Sequence, residues 1–171
     1  MSTQEHKQAA PKQVRCKVIT VSDTRNPETD RSGRLMKEML AEAGHSIVEY
    51  VIVKDEAELI KTEVLKGCGN PEIDVVLTNG GTGIAKRDVT IETVQMLFDK
   101  EIPGFGEIFR MLSYQEDIGS AALLSRAAAG VVNDRAVFST PGSTGAVRLA
   151  MQKLIIPEIG HVVRELTKDL Q

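Results

Sequence analysis

The chain has no tryptophan, four phenylalanines and two tyrosines among 171 residues. A binding surface that stacks bases on several aromatic rings is therefore excluded. The core has to be built from Val, Ile, Leu, Ala and Met. Cysteine is equally scarce. Cys16 and Cys68 have no metal-ligand spacing and form no disulfide framework, which fits two reduced thiols in a cytoplasmic protein. There is no surplus of positive charge: 21 Lys and Arg stand against 24 Asp and Glu, a net charge of −3. Bulk charge thus draws the chain to neither nucleic acid nor an anionic membrane. Long apolar runs are missing too, so no membrane span is expected. Residues 1–12 (MSTQEHKQAAPK) lack the apolar segment of a signal peptide and read as a flexible polar tail. His6, His45 and His161 are scattered, with no paired spacing.

What is abundant is glycine, 14 residues. The remaining chain, 13–171, has the length of a single domain. Short β-rich runs alternate with longer helical ones. Residues 16–21 (CKVITV), 47–53 (IVEYVIV), 73–78 (IDVVLT) and 136–139 (AVFS) read as strands. Leu35, Met36, Met39, Leu40 and Ala43 make one apolar stripe of a helix that Gly44 ends. Leu59, Ile60, Val64 and Leu65 make another. The region from Thr90 to Gly130 reads as mostly helical, including the run AALLSRA. A last helical stretch follows, which Pro157 must kink or restart. This alternation predicts a three-layer α/β/α sandwich around a mostly parallel sheet. In such sheets ligands bind beyond the carboxyl ends of the strands.

Four features fall there. The loop Thr78-Asn79-Gly80-Gly81-Thr82-Gly83 follows a buried strand, and its glycines let successive N–H groups converge on phosphate oxygens. It is neither a Walker A loop nor GxGxxG, which disfavours a nicotinamide dehydrogenase. The bland alternative is a tight turn. In Lys86-Arg87-Asp88-Val89-Thr90, Thr90 is a plausible helix N-cap, which frees Asp88 to hold Mg2+ beside substrate phosphates. The alternative is that Asp88 caps the helix itself or pairs with Lys86 or Arg87. Asp55 ends the preceding strand and shares the same rim, so it either joins Asp88 at a cation or caps a helix. Thr140-Pro141-Gly142-Ser143-Thr144-Gly145 offers a second anion loop, with Ser143 or Thr144 as a cap. Ser22-Asp23 and Asp30-Arg31-Ser32-Gly33 can reach a ligand or cap a helix. Arg126 is a solvated helix end or an anion fork.

Together, VITVSDTR, DRSG, VKDE, LTNGGTGIAKRDVT, EIPGFGEIFR, LLSRAAAGV and STPGST resemble the MoaB/MogA molybdopterin-binding family, over about residues 14–168. The resemblance implies the MogA-like fold and a homo-oligomer, a homotrimer or a hexamer built from two trimers. It implies Mg-ATP-dependent adenylylation of the molybdopterin phosphate, with other molybdenum cofactor biosynthesis proteins as partners. Asp55 and Asp88 match the family's catalytic, metal-holding pair. Gly80, Gly81, Thr82 and Gly83 match its phosphate loop; Ser125, Pro141, Gly142 and Ser143 match its pocket lining. Ile84, where proline is common, and Pro141-Gly142-Ser143-Thr144 in place of PG[NQ]P point to the MoaB branch. A pterin-binding protein of the same pathway without turnover is the alternative.

Overall fold

The computed structural model describes residues 2–170. Its six-stranded sheet has the order β2-β1-β3-β6-β5-β4. Strands β1 (Arg15–Val21), β2 (Ser46–Val53), β3 (Val75–Asn79) and β6 (Arg135–Thr140) run parallel. Strand β5 (Ala128–Val132) is antiparallel to β6, and the short β4 (Lys100–Glu101) is antiparallel to β5. Helices α2 (Arg31–Glu42), α5 (Pro103–Glu116), α6 (Thr144–Ala150) and α7 (Ile156–Thr167) cover one face. Helices α3 (Ala57–Gly69) and α4 (Thr90–Leu97) cover the other. The three-layer sandwich is thus present.

Strand alternation divides the core. Cys16, Val18, Val75, Leu77, Ala136 and Phe138 join the first face, while Ile19, Val21, Val76 and Val137 join the second. A strand's side chains point to opposite faces in turn, so a sheet covered twice needs apolar residues at every position. Lys17 breaks the pattern. It is fully buried under α3, and its ammonium donates to the Glu63 carbonyl at 2.9 Å and the Glu63 carboxylate at 2.8 Å, with Glu49 at 3.0 Å.

The structure corrects the sequence reading between Thr90 and Gly130. After α5 comes a 3₁₀ turn (Gly119–Leu124) and then β5, where a helical run was expected. Small residues in β5 make room for rings: a Cβ on Gly130 would lie 2.4 Å from Phe98. Asn133 and Asp134 close the β5–β6 hairpin with φ of 50° and 60°, the left-handed pair that a two-residue turn of this type needs. Residues expected as a loose tail instead contain α1 (Thr3–Gln8), with a Ser2–Glu5 capping box. Helix α1 lies on α7. Pro157 restarts the last helix after a π turn (Met151–Ile155), as a residue without an N–H must.

One buried polar cluster fixes where α2 begins. Asp30 is fully buried and caps α2 by accepting from Gly33 N–H at 3.0 Å, and it also accepts from Tyr50 O–H. Burial pushes its carboxyl up, but the Thr20, Tyr50 and Gly33 hydrogen bonds and the Arg25 charge outweigh that and hold it below the usual range. Tyr50→Phe is expected to cost about 1.5–3 kcal/mol, the usual worth of a hydrogen bond to a charged group. A depressed carboxyl stabilises the fold above its unfolded pKa and loses that stabilisation as pH falls through its folded one. The Tyr50→Phe deficit, read by urea unfolding, should therefore be full at pH 7 and shrink below about pH 4.

Candidate functional site

The carboxyl ends of β1, β2, β3 and β6 meet around a polar cavity of about 410 Å³. Its lining includes Ser22, Arg25, Asp55, Gly80 to Gly83, Asp88, Ser125, Arg126, Pro141 and Gly142. The two glycine-rich loops are fastened together at the floor: Gly80 N–H donates to the Thr140 carbonyl at 3.1 Å. Gly80 and Gly81 have φ of 98° and 67°, so the sharp exit from β3 needs residues without a Cβ.

Thr90 does not cap α4. The N-cap residue is Val89, and the Thr90 hydroxyl donates to the Gly80 carbonyl at 3.0 Å while Thr90 N–H donates to Gly81 at 3.0 Å. These two bonds hold the glycine loop against the helix start. Asp88 is nevertheless free of both alternative roles. It accepts from Ala85 N–H at 3.1 Å, and neither Lys86 nor Arg87 is its partner. Arg87 pairs with Asp23 instead. Asp55 does not cap α3 either; the N-cap is Glu56, without a side-chain bond. Its own N–H donates to the Asp23 carboxylate at 3.0 Å. Burial, then the nearby Asp23 and Asp88 charges, raise the Asp55 carboxyl above its ordinary range.

The two carboxylates occupy space that the glycines leave open. A Cβ on Gly81 would stand 2.9 Å from Asp55 Oδ1, and one on Gly83 would stand 2.5 Å from Asp88 Oδ2. The loop therefore seats two carboxylates at the cavity wall. Hard carboxylate oxygens at the wall of a polar cavity are a donor set that Mg2+ accepts.

Three sequence candidates lie elsewhere. Thr78 and Asn79 are fully buried below the cavity. The Thr78 hydroxyl donates to Ser139 at 2.8 Å, and Asn79 bridges Ser32 at 2.8 Å and Thr20 at 3.0 Å. Their side chains are used inside the fold and cannot also contact a ligand. Ser143 lies outside the lining and caps α6 by accepting from Ala146 N–H at 3.2 Å.

Two arginines matter more than the sequence suggested. Arg25 belongs to an unremarkable turn cluster, yet it reaches the Ser32 hydroxyl at 2.5 Å and the Gly142 carbonyl at 3.0 Å. It ties the first loop to the last across 117 residues. Arg126 donates to the carbonyls of Thr82 at 2.9 Å and Gly83 at 2.7 Å, and pairs with Glu92. Its guanidinium fork braces the glycine loop from the cavity wall. Only its position after Ser125 in the LLSRA run hinted at this.

A family model described as "Probable molybdopterin binding domain" matches residues 17–161. Molybdenum cofactor biosynthesis protein B of Bacillus subtilis (strain 168) is 69% identical over 169 residues, covering 99% of each chain. A crystal structure of a molybdenum cofactor biosynthesis protein B, 63% identical, superposes with a TM-score of 0.91 over 93% of this chain and 99% of that one. A solved structure of MogA, 28% identical, superposes with a TM-score of 0.78 over 89% and 99% of the two chains.

Proposed function

The chain belongs to the molybdopterin-binding family of molybdenum cofactor biosynthesis proteins, and from that premise we propose that it transfers AMP from ATP to the terminal phosphate of molybdopterin. The pterin phosphate oxygen attacks the α-phosphorus of ATP. A new P–O bond forms, the bond to the β-phosphate bridge oxygen breaks, and pyrophosphate leaves. The observation that carries this reading is the seating of Asp55 and Asp88 against Gly81 and Gly83, with neither carboxylate used as a cap.

Two polyanions must approach each other in this reaction. The backbone N–H groups of Gly81 to Gly83 and the start of α6 receive phosphate oxygens; helix ends contribute only ~0.3–1 kcal/mol each when exposed. Such contacts hold ground state and transition state alike, so they favour binding more than rate. Asp55 and Asp88 are the residues that would hold Mg2+. When bound, Mg2+ neutralises charge that develops on the leaving pyrophosphate. Arg126 and Arg25 keep the loops in register through carbonyl contacts. With no aromatic residue in the cavity lining, the nucleotide is gripped by its phosphates first.

We further read the protein as a cytoplasmic homotrimer or hexamer. Exposed apolar residues on α5 and the turn after it, Met111, Tyr114 and Leu123, support an assembly. Among the described residues, no helix is long and apolar enough to cross a membrane. The test is incubation of the pure protein with molybdopterin, ATP and Mg2+. Adenylylated pterin and pyrophosphate are expected in equal amounts. Molybdopterin binding without product would select the non-catalytic reading.

A further inference from the structure

The structure brings together two histidines that lie 155 residues apart in the chain, at the seam between α1 and α7 and outside the glycine-loop cavity. His6 Nδ1 stands 2.7 Å from Glu165 Oε1, and His161 Nε2 stands 4.0 Å from the same oxygen. The two imidazoles meet edge to face, with ring centres 5.9 Å apart. One ligating atom from each of His6, His161 and Glu165 falls within 4.8 Å of the others. A tetrahedral zinc ion with bonds of ~2.0–2.1 Å needs its ligands roughly 3.3 Å apart, so small rotamer adjustments suffice.

The surroundings are organised around that oxygen. His161 and Glu165 are four residues apart on α7 and share one face, and Glu158 stands three residues before His161 on the same face. Glu158 Oε2 lies 3.0 Å from His161 Nδ1. A proton held there leaves Nε2 as the lone-pair atom facing His6 and Glu165, the carboxylate–histidine arrangement that orients metal-bound imidazoles. Each carboxylate is divided between a histidine and a lysine. Glu165 gives Oε2 to Lys168 at 2.6 Å and keeps Oε1 for the histidines; Glu158 gives Oε1 to Lys7. Arg164 lies 3.9 Å from Glu165 Oε1. It and the two lysines lower the net negative charge at the seam and moderate the affinity for a dication.

We propose that His6, His161 and Glu165 form a site for a single divalent ion of the zinc class, which staples α1 to α7. Two imidazoles and one carboxylate select Zn2+ or Co2+ over Mg2+, which prefers oxygen ligands throughout. The fourth position is open to water, since all three side chains are only partly buried. The site is independent of Asp55 and Asp88.

The test uses the tag-free, full-length chain stripped with a chelator and titrated with Zn2+ by calorimetry, with Co2+ as a visible-absorption probe. One ion per chain is expected, with a tetrahedral Co2+ spectrum and a raised Tm. His6→Ala, on a peripheral helix, should leave the apo fold intact and weaken binding by more than tenfold. His161→Ala should do the same. Glu158→Ala should weaken it about 10–100-fold as loss of an orienting partner. Asp88→Asn should bind as the wild type does. Absence of saturable binding would overturn the site. So would binding that His6→Ala leaves unchanged, or that Asp88→Asn abolishes.

Discussion

Asp88→Asn should lower AMP transfer by about 10²–10³-fold, the scale on which enzymes lose rate when one preorganised group that stabilises the transition state is removed. Molybdopterin should still bind. The separation of the two effects follows from where Asp88 sits. Its carboxylate bonds only Ala85 N–H within the loop, and an Asn side-chain oxygen can accept that same bond. The glycine loop keeps its other fastenings, Thr90 to Gly80 and Arg126 to Thr82 and Gly83. The glycine loop therefore persists while the negative charge disappears. Removing that charge also removes repulsion towards an anionic ligand; two unit charges 4 Å apart in water interact by about 1 kcal/mol. Pterin affinity should be unchanged or slightly tighter, while turnover collapses. Calorimetry with molybdopterin and a product assay on the same preparation separate the two. A variant that retains full transfer would remove Asp88 from the proposed catalytic pair. A variant that loses binding and transfer together would make the residue a loop-shaping one.

The parallel half of the sheet was legible because its strands carry continuous apolar runs, and its rim was legible because glycines and aspartates cluster after those runs. The site's backbone elements, Gly80 to Gly83 and Pro141-Gly142, were visible for the same reason. Strand β5 was not. Its first three residues, Ala128, Ala129 and Gly130, are types depleted in strands, and the glycine is dictated by Phe98, which no local pattern reveals. The following Asn133-Asp134 pair was the available signal, since both residues tolerate positive φ in a hairpin turn. Thr90 misled for a related reason. A threonine before an apolar helix reads as a cap, but its hydroxyl found a carbonyl ten residues back. Arg25, Arg126 and the His6–His161 pair share the same obstacle: each acts on a residue distant in sequence, and only the packed structure fixes such partners.

Two alanine substitutions three residues apart in one loop should fail in opposite ways. A Cβ on Gly80 would lie 2.2 Å from the Val21 carbonyl oxygen, at a φ of +98°. Neither obstacle can move cheaply, because Val21 ends a central strand and its neighbour Thr20 pairs with Asn79 of β3. Left-handed backbone costs an L-residue ~1–2 kcal/mol, and forced packing costs about 1–3 kcal/mol more. Gly80→Ala should thus lose roughly 2–5 kcal/mol of stability, a large share of the ~5–15 kcal/mol that a domain has. At ~2–4 °C per kcal/mol its Tm should drop by about 10 °C. Gly83 has no such backbone penalty. Its Cβ would meet only the Asp88 carboxyl group, the far end of a side chain, which can swing aside. Gly83→Ala should therefore fold as well as the wild type, or gain ~0.4–1 kcal/mol from a stiffer unfolded chain. The displaced carboxylate is the cost: a misplacement of 1 Å can lower turnover about 10²-fold. Thermal unfolding and the adenylylation assay on both variants give a two-by-two result. A stable, fully active Gly83→Ala protein would show that Asp88 does not need its present seat. A Gly80→Ala protein with unchanged Tm would show that the exit from β3 can be made another way.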